Sequence, residues 1–272
     1  MTTWWLNGRL INEQDASISV VDHGITVGDG CFETTSIING SPFAITRHLA
    51  RLRRSLGGLG ISLERTDTEL IEAAHAVAAA NPTHQVLRLT VTGGPGPLSS
   101  KAAHGDPTVL IGSSSGRNWP ESAAIVTVPW TRNERSAVAG LKSTSYAENV
   151  VALAFAHRHQ ASEAIFANTV GELCEGTGTN IFVEVDGRMV TPPLSSGCLA
   201  GITRQLVLEL TEATEMTLPY DVLASTTEAF LTSSTRDVMP ITKIDQRDLA
   251  IGSLSAKAAT IYNEMMAATT DP

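Results

Sequence analysis

The sequence predicts an α+β fold in two domains, and three observations carry that expectation. Alternating and helical hydrophobic periods interleave along the whole 272-residue chain. The dipeptides Asn7-Gly8 and Asn39-Gly40 each sit between β-prone runs, and both residue types tolerate the positive φ of a tight hairpin turn. The polar, turn-rich stretch 113–121 (SSSGRNWPE) separates two halves that each hold enough strand and helix for a core. The expected organisation is a domain over 1–112, a linker over 113–121 and a second domain over 122–272.

Taken in order, the first forty residues are strand-rich. Residues 46–57 switch to a helical period, with Leu49, Leu52 and Leu56 on one side and arginines mostly elsewhere. A second helix runs over 66–80, with Thr66 or Thr68 as its cap. Strands follow at 86–92 and 108–112, separated by a surface loop that opens on Gly93-Gly94-Pro95-Gly96-Pro97 and runs to about Pro107. The second half repeats the mixture. Strands are expected at 124–129, around Ile165, at 181–185, at 189–191 and near 229–232, with helices at 146–160, 202–211 and 256–267. No internal repeat or low-complexity stretch interrupts the pattern.

Composition narrows the class of function. A hydrophobic fraction of 42% against 17% charged residues is that of a globular chain, not of a disordered one. Nineteen basic against twenty-eight acidic residues give a net charge of −9, which repels nucleic acid phosphates and anionic membranes. Neither a nucleic acid nor a membrane is an expected partner. Cys31, Cys174 and Cys198 are odd in number and lack CxxC spacing, which suits a reducing, cytoplasmic compartment. The start, MTTWWLNGRL, lacks the basic stretch and apolar run of a signal peptide.

Lysine is scarce, so a covalent lysine mechanism has few candidates among Lys101, Lys142, Lys243 and Lys257. Lys142 stands in Leu141-Lys142-Ser143-Thr144-Ser145-Tyr146, just before an apolar helix where partial desolvation frees an amine to attack a carbonyl. Taken alone it also fits a solvated loop lysine. Glu175-Gly176-Thr177-Gly178-Thr179-Asn180 sets a carboxylate before small residues that allow close backbone approach, as a ligand site or as a plain hairpin loop. Gly201-Ile202-Thr203-Arg204 opens a helix whose free N–H groups suit an anion. The run Thr232-Ser233-Ser234-Thr235 concentrates hydroxyls that bind phosphate or cap a turn. No HExxH or paired metal-ligand spacing occurs, so no metal is expected, and the Gly93–Gly96 cluster has neither GxGxxG nor a Walker lysine.

In sequence these segments resemble the class IV aminotransferases, the family that includes branched-chain and D-amino-acid aminotransferases, (R)-amine transaminases and aminodeoxychorismate lyases. The resemblance starts at Asp22-His23-Gly24 and the stretch 27–34 (VGDGCFET), and passes through His48-Leu49-Ala50-Arg51-Leu52, Lys142 with Tyr146, and Glu175-Gly176 to Phe182. It ends at Gly201–Arg204 and Ser234-Thr235. It implies a fold type IV enzyme, with a small α/β N-terminal domain and a larger pseudo-barrel C-terminal domain. It also implies a cleft completed by a neighbouring subunit, hence a homodimer, and pyridoxal 5′-phosphate as cofactor. By the same resemblance Lys142 bonds to the cofactor and shuttles the substrate proton, Glu175 pairs with the pyridine nitrogen and Tyr146 meets the phenolic oxygen. Leu199 packs on the ring face, and Asn180 and Gly201 belong to the cofactor site. Arg51, Ile202, Thr203, Ser234 and Thr235 hold the phosphate.

Arg88 falls where branched-chain enzymes carry a pocket arginine, and Thr34 falls where the lyases carry a threonine. Both are expected to meet substrate. Typical D-amino-acid enzymes have an arginine and a histidine in the loop after this strand; here the stretch reads Thr92-Gly93-Gly94-Pro95-Gly96. The expected activity is amino transfer between an amino acid or amine and a 2-oxo acid by a ping-pong cycle, leaning to D-amino acids or (R)-amines. Aminodeoxychorismate lyase and branched-chain aminotransferase are the alternatives.

Overall fold

The computed structural model describes residues 1–101, 105–116 and 119–272. The expected loop and linker therefore extend, at 102–104 and 117–118, outside the described residues. Chain contacts divide into two compact units: Met1–Arg117 with Leu141–Ser145 and Thr269–Pro272, and Asn118–Gly140 with Tyr146–Ala268.

The first unit contains β1 (Thr3–Leu6), β2 (Arg9–Asn12), the short α1 (His23–Thr26), β3 (Gly30–Ile38), β4 (Ser41–Pro42), α2 (Ile45–Leu59), α3 (Asp67–Ala80), β5 (Val86–Thr92) and β6 (Thr108–Ser114). Its strands form one sheet in the order β2-β1-β6-β5-β3-β4. Asn7 and Gly8, like Asn39 and Gly40, take positive φ and turn β1 into β2 and β3 into β4. The leucines that set the helical period of α2, Leu49, Leu52 and Leu56, meet Leu87, Leu89 and Val91 of β5 and Leu70 and Val77 of α3 in one buried cluster. Thr66 starts α3 with a capping box, its hydroxyl accepting from Glu69 N–H while Glu69 accepts from Thr66 N–H. The loop after β5 needs glycine at 94: φ is +80°, and a Cβ there would lie 2.1 Å from the Asp106 carbonyl oxygen.

Two boundaries differ from the sequence expectation. Ser113 and Ser114 belong to β6, paired with Leu87 and Val86, so the strand runs into the expected linker. Residues 141–145 and 269–272 group with the first unit although they fall in the second half of the chain. Backbone bonding explains both cases. Phe32 N–H donates to the Lys142 carbonyl at 3.0 Å and Thr144 N–H to the Gly30 carbonyl at 2.8 Å, which adds the lysine segment to the edge of β3. Ala44 N–H donates to the Thr270 carbonyl, and the Thr46 hydroxyl to Asp271.

The second unit contains β7 (Ala123–Arg132), α4 (Ala147–Arg158), β8 (Glu163–Asn168), β9 (Leu173–Gly176), β10 (Asn180–Val185), β11 (Arg188–Thr191), α5 (Ile202–Leu210), β12 (Thr214–Glu215), α6 (Val222–Ser225), β13 (Ala229–Ser233), β14 (Asp237–Ile244), β15 (Arg247–Asp248) and α7 (Ser253–Ala268). Its main sheet path is β12-β11-β10-β13-β14-β7-β8-β9, with β15 on β14. Ile125, Ile165, Ile181, Leu231 and Ile241 fill one core of this unit. The long β14 has no counterpart in the sequence reading, because Pro240 breaks its pattern. The proline is tolerated because β14 pairs with β7 only from Ile241 onward, so the missing N–H falls before that second ladder begins.

Core and cap make different contributions here. Leu52→Ala, at a fully buried position, is expected to lower stability by about 3 kcal/mol. Thr66→Ala is expected to cost about 1 kcal/mol, both read from the urea midpoint at constant m.

Candidate active site

In the first unit the alternation of β3 sorts its side chains. Cys31, Glu33 and Thr35 are buried toward α2 and the core, while Phe32 and Thr34 lie on the opposite face. On that opposite face Lys142 Nζ lies 4.6 Å from the Phe32 ring centroid. The Arg88 guanidinium, from the residue paired with Thr34 on β5, lies 4.3 Å from the same ring. Arg88 Nε donates to the Thr34 hydroxyl at 3.1 Å. Lys142 itself is half-buried, and its N–H donates to the Ser55 hydroxyl of α2 at 3.1 Å. Lys142, Thr34 and Arg88, expected separately, are therefore brought together on one aromatic platform. Phe32 is the member that sequence reasoning missed.

Arg51 lies on the α2 side. Its Nε and Nη2 donate to the two oxygens of Glu33 at 2.8 and 2.6 Å, and His48 Nδ1 donates to Glu33 Oε2 at 2.6 Å. All three side chains are buried. Burial alone would raise the Glu33 carboxyl, but the Arg51 charge and the hydrogen bonds from Arg51 and His48 outweigh it and hold it down to about 2. Burial pushes His48 below the usual histidine value against the pull of Glu33. Glu33 stands in the VGDGCFET stretch that carries the resemblance, and its helix partners lie 15 and 18 residues further on, so their link is not visible from spacing alone.

In the second unit Glu175, at the end of β9, accepts from Leu199 N–H at 2.8 Å, and its other oxygen lies 3.2 Å from Arg132 Nε. Arg132 also packs over the Phe166 ring at 4.4 Å and donates to Asn149 at 2.8 Å. Tyr146 precedes α4, and its phenol is raised by burial and then by the Glu175 carboxylate. Asn180 Nδ2 donates to the Leu199 carbonyl at 2.9 Å, which fixes the turn leading into α5. Gly201 is the N-cap of α5 and provides no side-chain cap, so the first-turn N–H groups at Ile202 and Thr203 lack that partner. A Cβ on Gly201 would lie 2.0 Å from Asn180 Oδ1, so only glycine lets this backbone close on the strand. Ser234 and Thr235, half-buried, form the turn between β13 and β14.

The turn after β9 is held by Glu163, buried on β8. It accepts from the N–H and hydroxyl of Thr177 and from the Thr179 hydroxyl. Neither Glu163 nor Arg132 carried a motif signal. Among the described residues no group of three or more His, Cys, Asp or Glu is placed to hold a metal ion, and no helix is long and apolar enough to cross a membrane.

Comparison with known proteins places this geometry. The family model for amino-transferase class IV matches residues 30–244. A protein of Methanocaldococcus jannaschii provisionally named a branched-chain-amino-acid aminotransferase is 32% identical, over 96% of this chain and 95% of its own. D-alanine aminotransferase of Staphylococcus epidermidis is 29% identical over 93% of each chain. Aminodeoxychorismate lyase of Bacillus subtilis is 29% identical over 94% of this chain and 90% of its own. The crystal structure of a branched-chain aminotransferase from Thermoproteus uzoniensis with norvaline superposes with a TM-score of 0.91 at 29% identity, covering 97% of this chain and 94% of that one.

The Glu33 cluster has a pH signature. Its carboxyl is depressed in the folded chain, so its contribution is complete above about 4.5 and is lost as the pH falls toward about 2. Glu33→Gln is expected to lower stability at pH 7 by about 3 kcal/mol, because Arg51 is left buried without its counter-charge. Denaturant titrations between neutral and acid pH check this: the variant loses less further stability on acidification than the parent.

Proposed function

We infer the reaction from one premise: the chain belongs to the class IV aminotransferase family and is a pyridoxal-phosphate-dependent enzyme. It moves an amino group between an amino acid and a 2-oxo acid in two half-reactions. The observation that carries the reading is the single Phe32 ring flanked by Lys142 Nζ and the Arg88 guanidinium. A fixed guanidinium beside the amine suits a donor that carries a carboxylate, which favours amino acids over simple amines. Among amino acids we place the D series first, in line with the D-alanine aminotransferase relative. Arg88 then serves as carboxylate partner in place of the arginine and histidine that the stretch Thr92–Gly96 lacks.

The donor groups fit the cofactor. An uncapped helix start with neighbouring hydroxyls suits a phosphate dianion, a carboxylate held by Arg132 suits a protonated ring nitrogen, and a half-buried lysine suits an aldehyde. When bound, the cofactor supplies an electron sink for the pair released at the substrate α-carbon. Lys142 Nζ would hold it and would carry the proton removed from that carbon. Glu175 would keep a proton on the ring nitrogen, and Leu199, whose N–H holds Glu175, would pack on the ring face. Asn180 and Gly201 shape that turn, and Tyr146 would meet the phenolic oxygen. Ile202 and Thr203 N–H and the hydroxyls of Ser234 and Thr235 would take the phosphate, with Arg51, whose Nε and Nη2 are engaged by Glu33, as the proposed positive charge.

A second reading is aminodeoxychorismate lyase, supported by the half-buried Thr34 hydroxyl on the Lys142 face and by the Bacillus subtilis relative. It uses the same lysine and needs no amino acceptor. We also place the enzyme in the cytoplasm as a homodimer, a setting that suits its three buried, unpaired cysteines.

Purified protein loaded with pyridoxal phosphate and reduced with borohydride is expected to carry the adduct on Lys142, and Lys142→Ala to fold without turnover. D-alanine or D-glutamate alone should bleach the bound cofactor and leave pyridoxamine phosphate. A response only to L-valine or L-leucine moves the reading to the branched-chain series, and pyruvate release from aminodeoxychorismate without such a response moves it to the lyase. Arg88→Ala is expected to raise KM for the amino acid about tenfold, a loss of about 1.4 kcal/mol, with less effect on kcat.

A further inference from the structure

Buried hydroxyls are almost always hydrogen-bonded, and the Thr232 hydroxyl on β13 is an exception: it is buried and has no partner. Register shows where it faces. Thr232 lies directly opposite Asn180 of β10 in an antiparallel pair, so the two side chains share a sheet face about 5 Å apart at Cβ. Asn180 on that face donates to the Leu199 carbonyl and closes on Gly201, the uncapped start of α5. In the first turn of that helix the Thr203 hydroxyl meets Tyr262 at 3.4 Å. An acceptor-rich group arriving at the α5 N-terminus would satisfy the Thr232 hydroxyl.

We propose that Thr232 is a further ligand of the cofactor's phosphate, its hydroxyl donating to an anion oxygen held at the start of α5. This inference rests on the cofactor reading above and adds a contact from the strand interior to those of the turn at Ser234 and Thr235. The chemistry is that of an oxyanion with several acceptor oxygens: one more donor from a rigid strand adds affinity without ordering a loop. A buried water on the same hydroxyl is the competing explanation, and it makes a different prediction.

The test compares two aldehydes on Thr232→Val, which keeps the shape of the side chain and removes the hydroxyl. Pyridoxal 5′-phosphate and pyridoxal, which lacks the phosphate, are titrated into the cofactor-free chain by absorbance. We expect the variant to bind the phosphorylated form about tenfold more weakly, to bind pyridoxal as the parent does, and to melt no lower than the parent when cofactor-free. Thr232→Ser should restore most of the loss. An unchanged affinity for the phosphorylated form, or an equal loss for both aldehydes, overturns the proposal and assigns the hydroxyl to water or packing. Borohydride trapping of the parent on Lys142 separates the two levels: a parent that traps no adduct sinks the cofactor reading, while a trapped parent with an unresponsive variant sinks only Thr232.

Discussion

The first unit depends on the pleat of β3. Successive side chains must point to opposite faces, so Glu33 goes to α2 and Phe32 and Thr34 go to the other side. One face packs against the core and the other carries the candidate lysine platform. Glu33 binds Arg51 and His48 in the core, and Phe32 presents its ring to Lys142 and Arg88. A one-residue slip of this strand would exchange the two sets and bury Arg88's partner in place of the ion pair. The long ladder with β5, from Gly30 opposite Thr92 to Ser36 opposite Val86, holds the register against that slip.

The second unit uses the same device, a carboxylate with its partners fixed in place, to shape a turn. Glu163 gathers the N–H and hydroxyl of Thr177 and the Thr179 hydroxyl and so holds the chain between Glu175 and Asn180. Both ends of that turn then act on the segment before α5, Glu175 through Leu199 N–H and Asn180 through the Leu199 carbonyl. Satisfied buried networks of this kind specify a single geometry at a cost in desolvation. The helix start they lead to has no side-chain cap.

Local rules carried much of the fold. The hairpin dipeptides, the leucine period of α2 and the Thr66 cap all appear where elementary turn and helix chemistry puts them. Pairing between distant segments was not legible. The addition of the Lys142 segment to β3 and the tolerance of Pro240 in β14 depend on which strand lies alongside, and hydrophobic period does not encode that. The site followed the same division. Lys142, Glu175 and the Gly201 helix start carry a residue type and a setting that chemistry recognises. Phe32, Arg132, Glu163 and Thr232 are an ordinary aromatic, two ordinary charges and a strand threonine, and only their partners, or the absence of one, give them meaning.

Lys142, the proposed cofactor-binding residue, stands on a strand edge and not on a free loop. Its own N–H is held by Ser55, its carbonyl by Phe32 N–H, and two residues on Thr144 N–H is held by Gly30. The backbone is therefore pinned on both sides while the side chain keeps its four-carbon reach. A group that must bond to one atom and later carry a proton from another needs a fixed root and a mobile tip, since the two targets are separated by bond lengths and not by domain motions. The tip lies 4.6 Å from the Phe32 ring centroid, within reach of that aromatic face. Replacing the pinned segment with a flexible one would keep the amine and lose the orientation on which both of its tasks depend.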